Sequence, residues 1–280
     1  MKGSEGTFTG QGGVPIRWRR IEPEGAPRGV VVVSHGYAEH CGRYRPFAEH
    51  LAGRGIVALG LDHRGHGESG GPRGHCRDFD EFVADVRTLV DLAETWWPDV
   101  PRVLFGHSMG GLIAFLYLLR HGATVRAGAL SGPAFVVFPQ GPAWQLSLFI
   151  ALAAVLPRLP ITTKLDESVL ARDPEVGRAY VADPLVHRRI TTAFARAMTR
   201  AQERAYAEAS KLRTPLLVLQ GEADRLVDPS GAPALTSRLR CEHELVMLPG
   251  FYHELLNEPP AERAKVVDLL DAWIDRWIAT

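Results

Sequence analysis

The sequence has 280 residues, 46% of them apolar, with 32 basic and 32 acidic side chains and no long run of either sign. That is enough apolar material for one sizeable core, and the charge balance excludes a broad field of the kind that attracts nucleic acid or a strongly charged substrate. Cys41, Cys76 and Cys241 are widely spaced with no C-x-x-C pair, which argues against a disulfide framework or zinc ribbon and for a reducing compartment.

The opening Met1-Lys2-Gly3-Ser4-Glu5-Gly6 has no apolar signal region, so a cytoplasmic location is expected. Val30 to Val33 form a continuous β-branched run, which reads as a strand covered on both faces, as in a parallel central sheet. A helix over 45–54 ends at Gly55, and the apolar run 56–61 supplies a second buried strand, completing a β-α-β unit. Helical spacing of Phe82, Val83, Val86, Leu89, Val90, Ala93 and Trp97 predicts a helix over 79–97, ended by Pro98 and Pro101. A strand at 103–105, a helix over 112–120 and a strand at 127–130 continue the alternation.

Between Gly132 and Lys211 that rhythm stops, and helical, Pro-punctuated segments follow without an obvious strand. The expected organisation is an α/β core in two parts, 1–132 and 212–280, with an inserted helical cap over 133–211. The longest apolar run, 146–156, lies in this cap. It is shorter than the ~20 residues a membrane-spanning helix needs, but it is a candidate for peripheral contact with a membrane or micelle. Strands at 216–219 and 245–248 and an amphipathic helix over 261–278 complete the core.

The strand at 103–105 runs into Gly106-His107-Ser108-Met109-Gly110-Gly111 and an apolar helix, the strand-turn-helix setting of a G-x-S-x-G nucleophile elbow. This points to the α/β-hydrolase fold with Ser108 as nucleophile. A serine hydroxyl needs a base, and the base an orienting carboxylate, in the chain order Ser, Asp or Glu, His. Asp224 follows the 216–219 strand, and His253 stands on the last loop before the final helix. Asp228 competes with Asp224, although beside Pro229 it also suits a helix cap. His107 reads as a structural elbow residue, His243 as the start of a strand, and His50, His121 and His187 as helix-end or surface residues.

Two backbone N–H donors are needed for the oxyanion, and Tyr37 and Met109 occupy the expected positions, with Gly36 allowing close approach. The Asp62-to-Ser69 loop holds His63 and His66 three residues apart, but no second ligand cluster accompanies them, so a rigid hydrogen-bonded loop is favoured over a metal site. No metal or cofactor is implied.

With these residues in view, the chain resembles the monoacylglycerol lipases and related lysophospholipases over almost its whole length. The resemblance is carried by His35-Gly36-Tyr37-Ala38-Glu39-His40 with Arg43-Tyr44, by Asp62-His63-Arg64-Gly65-His66-Gly67 and by the elbow. It continues through Arg172-Asp173-Pro174-Glu175-Val176 with Tyr180, Asp183-Pro184-Leu185, Gly221-Glu222-Ala223-Asp224-Arg225-Leu226 and Tyr252-His253. It implies a triad of Ser108, Asp224 and His253, an acyl tunnel under the cap, and a glycerol pocket to which Glu39, Arg43 and Tyr180 contribute directly or by support. Glu39 and Arg43 read equally well as a structural ion pair. Some members carry a second histidine three residues after the catalytic one, where this chain has Leu256.

The expected reaction is hydrolysis of a lipid ester, foremost a monoacylglycerol to glycerol and fatty acid, through an acyl-enzyme. A general carboxylesterase or lysophospholipase with the same triad is the alternative, and a ligand-binding receptor on a hydrolase fold the remote one. Leu148 and Leu152 lie on a cap helix apolar over much of its circumference, which reads equally as a helix packed on the face of the sheet or as one that offers a side to acyl chains.

Overall fold

A computed structural model describes residues 1–137, 143–163 and 165–279. The chain begins with an antiparallel pair, β1 (Lys2–Thr9) and β2 (Pro15–Glu22). There follow β3 (Gly29–Ser34), α1 (Arg45–Gly53), β4 (Ile56–Leu61), α2 (Asp80–Trp96), β5 (Arg102–His107), α3 (Met109–His121) and β6 (Ala127–Ser131). Then come α4 (Ala143–Leu152), β7 (Pro160–Thr162), α5 (Pro174–Ala182), β8 (Arg189–Thr191) and α6 (Thr192–Glu208). The core resumes with β9 (Leu216–Gly221), α7 (Gly231–Thr236), β10 (His243–Leu248) and α8 (Pro260–Ile278).

Eight strands form one sheet in the order β1-β2-β4-β3-β5-β6-β9-β10. The pairings from β4 to β10 are parallel, and β2 joins β4 antiparallel. Because side chains alternate across a strand, the valine run divides between two cores. Val30 and Val32 pack with α2, α3 and α6, whereas Val31 and Val33 pack with α1 and α8. This two-sided covering is why the strands read as unbroken apolar runs.

The first sheet pair, β1 and β2, was not anticipated, and neither was the small antiparallel pair β7 and β8 within the segment read as strandless. The apolar run over 146–156 is helical only to Leu152, and turns lead on to Pro157. Among the described residues, the excursion between β6 and β9 otherwise carries the helices α4, α5 and α6 joined by turns and loops. Its last helix, α6, joins the core, where Phe194, Ala197, Ala201 and Ala205 pack in the same cluster as α3. The loops after β3, β5, β9 and β10 all leave the carboxyl ends of parallel strands, the edge at which open α/β sheets place their sites.

Candidate active site

Ser108 sits between β5 and α3 with φ 54° and ψ −120°, a backbone conformation rare for a residue with a Cβ. The turn is locked. Ser108 N–H donates to the Ser131 carbonyl at 3.0 Å, and the Ser108 carbonyl accepts from Gly111, Leu112 and Ala134 N–H at 2.9, 3.2 and 3.0 Å. A Cβ at Gly106 would overlap the Gly110 carbonyl oxygen, and one at Gly110 would overlap that of Ser34. The two glycines therefore let β3, β5 and α3 close around the serine.

The loops after β9 and β10 bring the other two expected groups to it. Ser108 Oγ lies 2.9 Å from His253 Nε2, and His253 Nδ1 lies 2.6 Å from Asp224 Oδ2. Asp224 Oδ1 accepts from Leu226 and Val227 N–H at 2.8 and 3.0 Å, and Gln220 Nε2 donates to Oδ2 at 3.2 Å. With Nδ1–H donated to the carboxylate, Nε2 is left to accept the serine proton. Burial works to raise the Asp224 carboxyl, but His253 and the loop N–H groups outweigh it and hold it below the usual range. Burial works to lower His253, but Asp224 outweighs it, leaving the imidazole raised. Asp228, the competing carboxylate, instead accepts from Ser230 N–H at 2.9 Å ahead of α7.

The loop after β3 lies against the serine, where a Cβ on Gly36 would stand 3.2 Å from Ser108 Cβ. His35 Nδ1–H donates to the Gly36 carbonyl at 2.7 Å, and its Nε2 accepts from His63 N–H at 2.9 Å. A trans peptide points its C=O and N–H in opposite directions, so this bond also fixes the direction of the Tyr37 N–H. Among the described residues, neither Tyr37 N–H nor Met109 N–H has a protein acceptor. Met109 opens α3, where a free N–H and the positive end of the helix favour developing negative charge. From this loop the sequence pointed to Gly36 for close approach and to the Tyr37 N–H as a donor. The imidazole of His35 was missed, and its sole sequence signal was its place beside Gly36.

Glu39 and Arg43 are drawn together at 2.6 Å, and Tyr180 stacks on the guanidinium. Glu39 is buried, and its carboxyl stands at about 2; burial would raise it, but Arg43, His107 and His35 outweigh that. Tyr37 reaches the excursion through its hydroxyl, 3.0 Å from Thr163 Oγ1. His107 donates from Nδ1 to the Ser131 carbonyl at 2.9 Å, the structural part expected of it. His63 Nε2 bonds Ser34 Oγ at 2.9 Å, and His66 Nδ1–H donates to the Arg64 carbonyl at 2.9 Å, both internal to the core loops. On α4, Leu148 is 46% exposed and Leu152 half-buried.

The family model described as "Serine aminopeptidase, S33" matches residues 25–260. The chain is 42% identical over 273 residues to a monoacylglycerol lipase of Mycolicibacterium smegmatis, covering 97% of this chain and 96% of the relative. It is 37% identical to the monoglyceride lipase of Mus musculus, covering 93% and 87%. Among solved structures, that of Paleococcus ferrophilus monoacylglycerol lipase superposes with a TM-score of 0.83 at 30% identity, covering 98% of each chain.

Proposed function

Since the chain belongs to the monoacylglycerol lipase family of the α/β-hydrolases, we propose that it hydrolyses monoacylglycerols to glycerol and fatty acid through a serine acyl-enzyme. The unbroken hydrogen-bonded chain from Ser108 through His253 to Asp224 carries this reading. Ser108 Oγ attacks the ester carbonyl carbon while His253 Nε2 takes its proton, and the imidazolium is stabilised by Asp224. The oxyanion of the tetrahedral intermediate accepts the N–H groups of Tyr37 and Met109. As the intermediate collapses, the proton passes from His253 to the departing glycerol oxygen, leaving an acyl ester on Ser108. Water, deprotonated by the same imidazole, attacks that ester, and His253 returns the proton to Ser108 Oγ as the acyl–oxygen bond breaks and the fatty acid is released.

A neutral head group is favoured over a phosphate by the charges around the base. Arg43, in the buried cluster there, donates from both Nη atoms to the carboxylates of Glu39 and Glu254. Two carboxylates against one guanidinium would repel an anionic lysophospholipid head. The cap of this reading is the 133–211 segment, with α6 anchored on α3 and the apolar surface of α4 turned outward. Trp144 is 63% and Val155 73% exposed, which suits shallow contact with a lipid surface. Among the described residues no helix is long and apolar enough to cross a membrane. In this reading the lipid is met at its surface, through the exposed apolar side chains of the cap.

The test is hydrolysis across monoacyl-, diacyl- and triacylglycerols, lysophospholipids and short-chain esters, with Ser108→Ala as the control. Monoacylglycerols should give the highest kcat/KM, and S108A should lose on the order of ten-thousand-fold or more in turnover. Highest efficiency on a lysophospholipid, or an active S108A enzyme, would reject the reading.

A further inference from the structure

Arg43 lies between two carboxylates from opposite sides of the active site. Its Nη1 donates to Glu39 Oε2 at 2.6 Å and to Glu254 Oε1 at 2.7 Å, and its Nη2 donates to Glu254 Oε2 at 2.8 Å. Glu39 belongs to the loop that carries Tyr37, where its Oε1 accepts from Gly36 N–H at 2.5 Å and from the Tyr44 hydroxyl at 2.7 Å. Glu254 directly follows His253. Its N–H donates to the Leu170 carbonyl at 2.7 Å, and its Oε2 accepts from Asn257 Nδ2 at 2.7 Å.

All three charged side chains are largely withdrawn from water. The desolvation cost of such a triad largely cancels its internal attraction, so stability alone explains it poorly. The arrangement has two other consequences. One guanidinium spans the oxyanion loop and the base loop, fixing their separation, and the second carboxylate leaves an excess of negative charge beside His253.

We propose that Glu39, Arg43 and Glu254 form a positioning network that clamps the Tyr37 loop to the His253 loop and stabilises the imidazolium formed when His253 takes the Ser108 proton. The proposal rests on the Ser108–His253–Asp224 reading. The groups facing His253 are Asp224 at Nδ1, Ser108 at Nε2 and His107, whose ring centroid is 4.8 Å away. Glu254 and Glu39 act on it through the field, Arg43 lies between those two carboxylates, Tyr44 flanks His107, and Arg225 stacks on neighbouring Tyr252. Burial and His253 hold His107 down to about 4, so it stays neutral while His253 titrates. Of the groups raising His253, Asp224 is the largest, followed by Glu254 and Glu39.

Glu254→Gln removes the charge at nearly constant size. Rates are measured per active site, with sites counted by a serine-directed fluorophosphonate, so that lost protein is not mistaken for lost chemistry. E254Q should show kcat about tenfold lower, KM within about twofold, and an acid limb of kcat/KM moved down by ~0.5–1 pH unit. Glu254→Asp keeps the charge and shortens the reach, so its acid limb should stay in place while kcat falls about threefold.

Wild-type kcat per titrated site together with a wild-type acid limb in E254Q would overturn the proposal. So would a loss accounted for wholly by fewer titratable sites, which is the behaviour of a fold support. If E254Q does not fold, E254D decides, and an unchanged kcat overturns the clamp. Failure of the triad reading is distinguishable, because the fluorophosphonate would then leave Ser108 of the wild-type enzyme unlabelled.

Discussion

Gly110, two residues after the nucleophile, lies so close to the Ser34 carbonyl oxygen that a methyl group added to it would overlap that atom. Gly→Ala inside a helix ordinarily stabilises by about 1 kcal/mol. Here the obstacle is backbone, which has no rotamer to turn away, and forced overpacking costs about 1–3 kcal/mol or more. Gly110→Ala should therefore lower the unfolding temperature and, by displacing β3 or the start of α3, reduce turnover at least ~100-fold. A G110A protein that melts later than the parent and keeps full turnover would show that the elbow does not depend on this approach.

The two candidate carboxylates are separated by their partners. Asp224 holds His253 Nδ1 at 2.6 Å, while Asp228 receives a backbone N–H at an exposed helix start. Asp224→Asn should leave the thermal transition almost unchanged but lower kcat by about ten-thousand-fold, because an amide favours the wrong histidine tautomer. Asp228→Asn should stay within about threefold, since it loses at most one exposed hydrogen bond to the Ser230 N–H. The reverse ranking in steady-state kinetics would transfer the role to Asp228.

How far the sequence was legible follows from the range of the forces involved. The central strands were readable because burial on both faces demands uninterrupted apolar runs, and the elbow because its sterics demand glycine at fixed offsets. β1, whose sequence is KGSEGTFT, carries little apolar patterning, and its order comes from register with β2. The three-residue strands β7 and β8 are too short for any period to show. Arg43 and Glu254 are 211 residues apart, and their pairing exists only once β3 and β10 deliver their loops to one edge. Arg43 was noticed beside Glu39, four residues away, while Glu254 passed unnoticed beside the histidine it supports.

The pH dependence follows from the state that His253 must have to act. It takes the Ser108 proton only when neutral, so activity falls as pH drops and the imidazole becomes charged. Burial pushes the proton off, Asp224 outweighs that effect, and the folded group is raised. The acid limb of kcat/KM should therefore be centred above the ordinary imidazole value of about 6.5. In the residual activity of Asp224→Asn it should move lower, since the largest raising influence is gone. A wild-type limb centred below the ordinary value would contradict the Asp224–His253 coupling.

The α4 surface offers a test of whether the cap selects the acyl chain or merely completes the fold. Leu148 is 46% exposed, so replacing it with Ser removes little buried area and should cost under ~1 kcal/mol of stability. A long acyl chain laid against α4 is withdrawn from water at ~25 cal/mol per Å², whereas an acetyl group brings almost no area to cover. Leu148→Ser combined with Leu152→Ser should lower kcat/KM for long-chain monoacylglycerols about tenfold while leaving acetyl esters within about twofold. A contact with the acyl chain remote from the reacting carbonyl would act alike in ground and transition states. The loss should therefore lie in KM, with kcat nearly unchanged. Leu152, half-buried on the same helix, carries the larger risk to folding, so the single Leu148→Ser variant should show the same selectivity at smaller amplitude with an unaltered melting temperature. Equal losses on long and short esters would identify α4 as a support for α6 with no part in substrate choice.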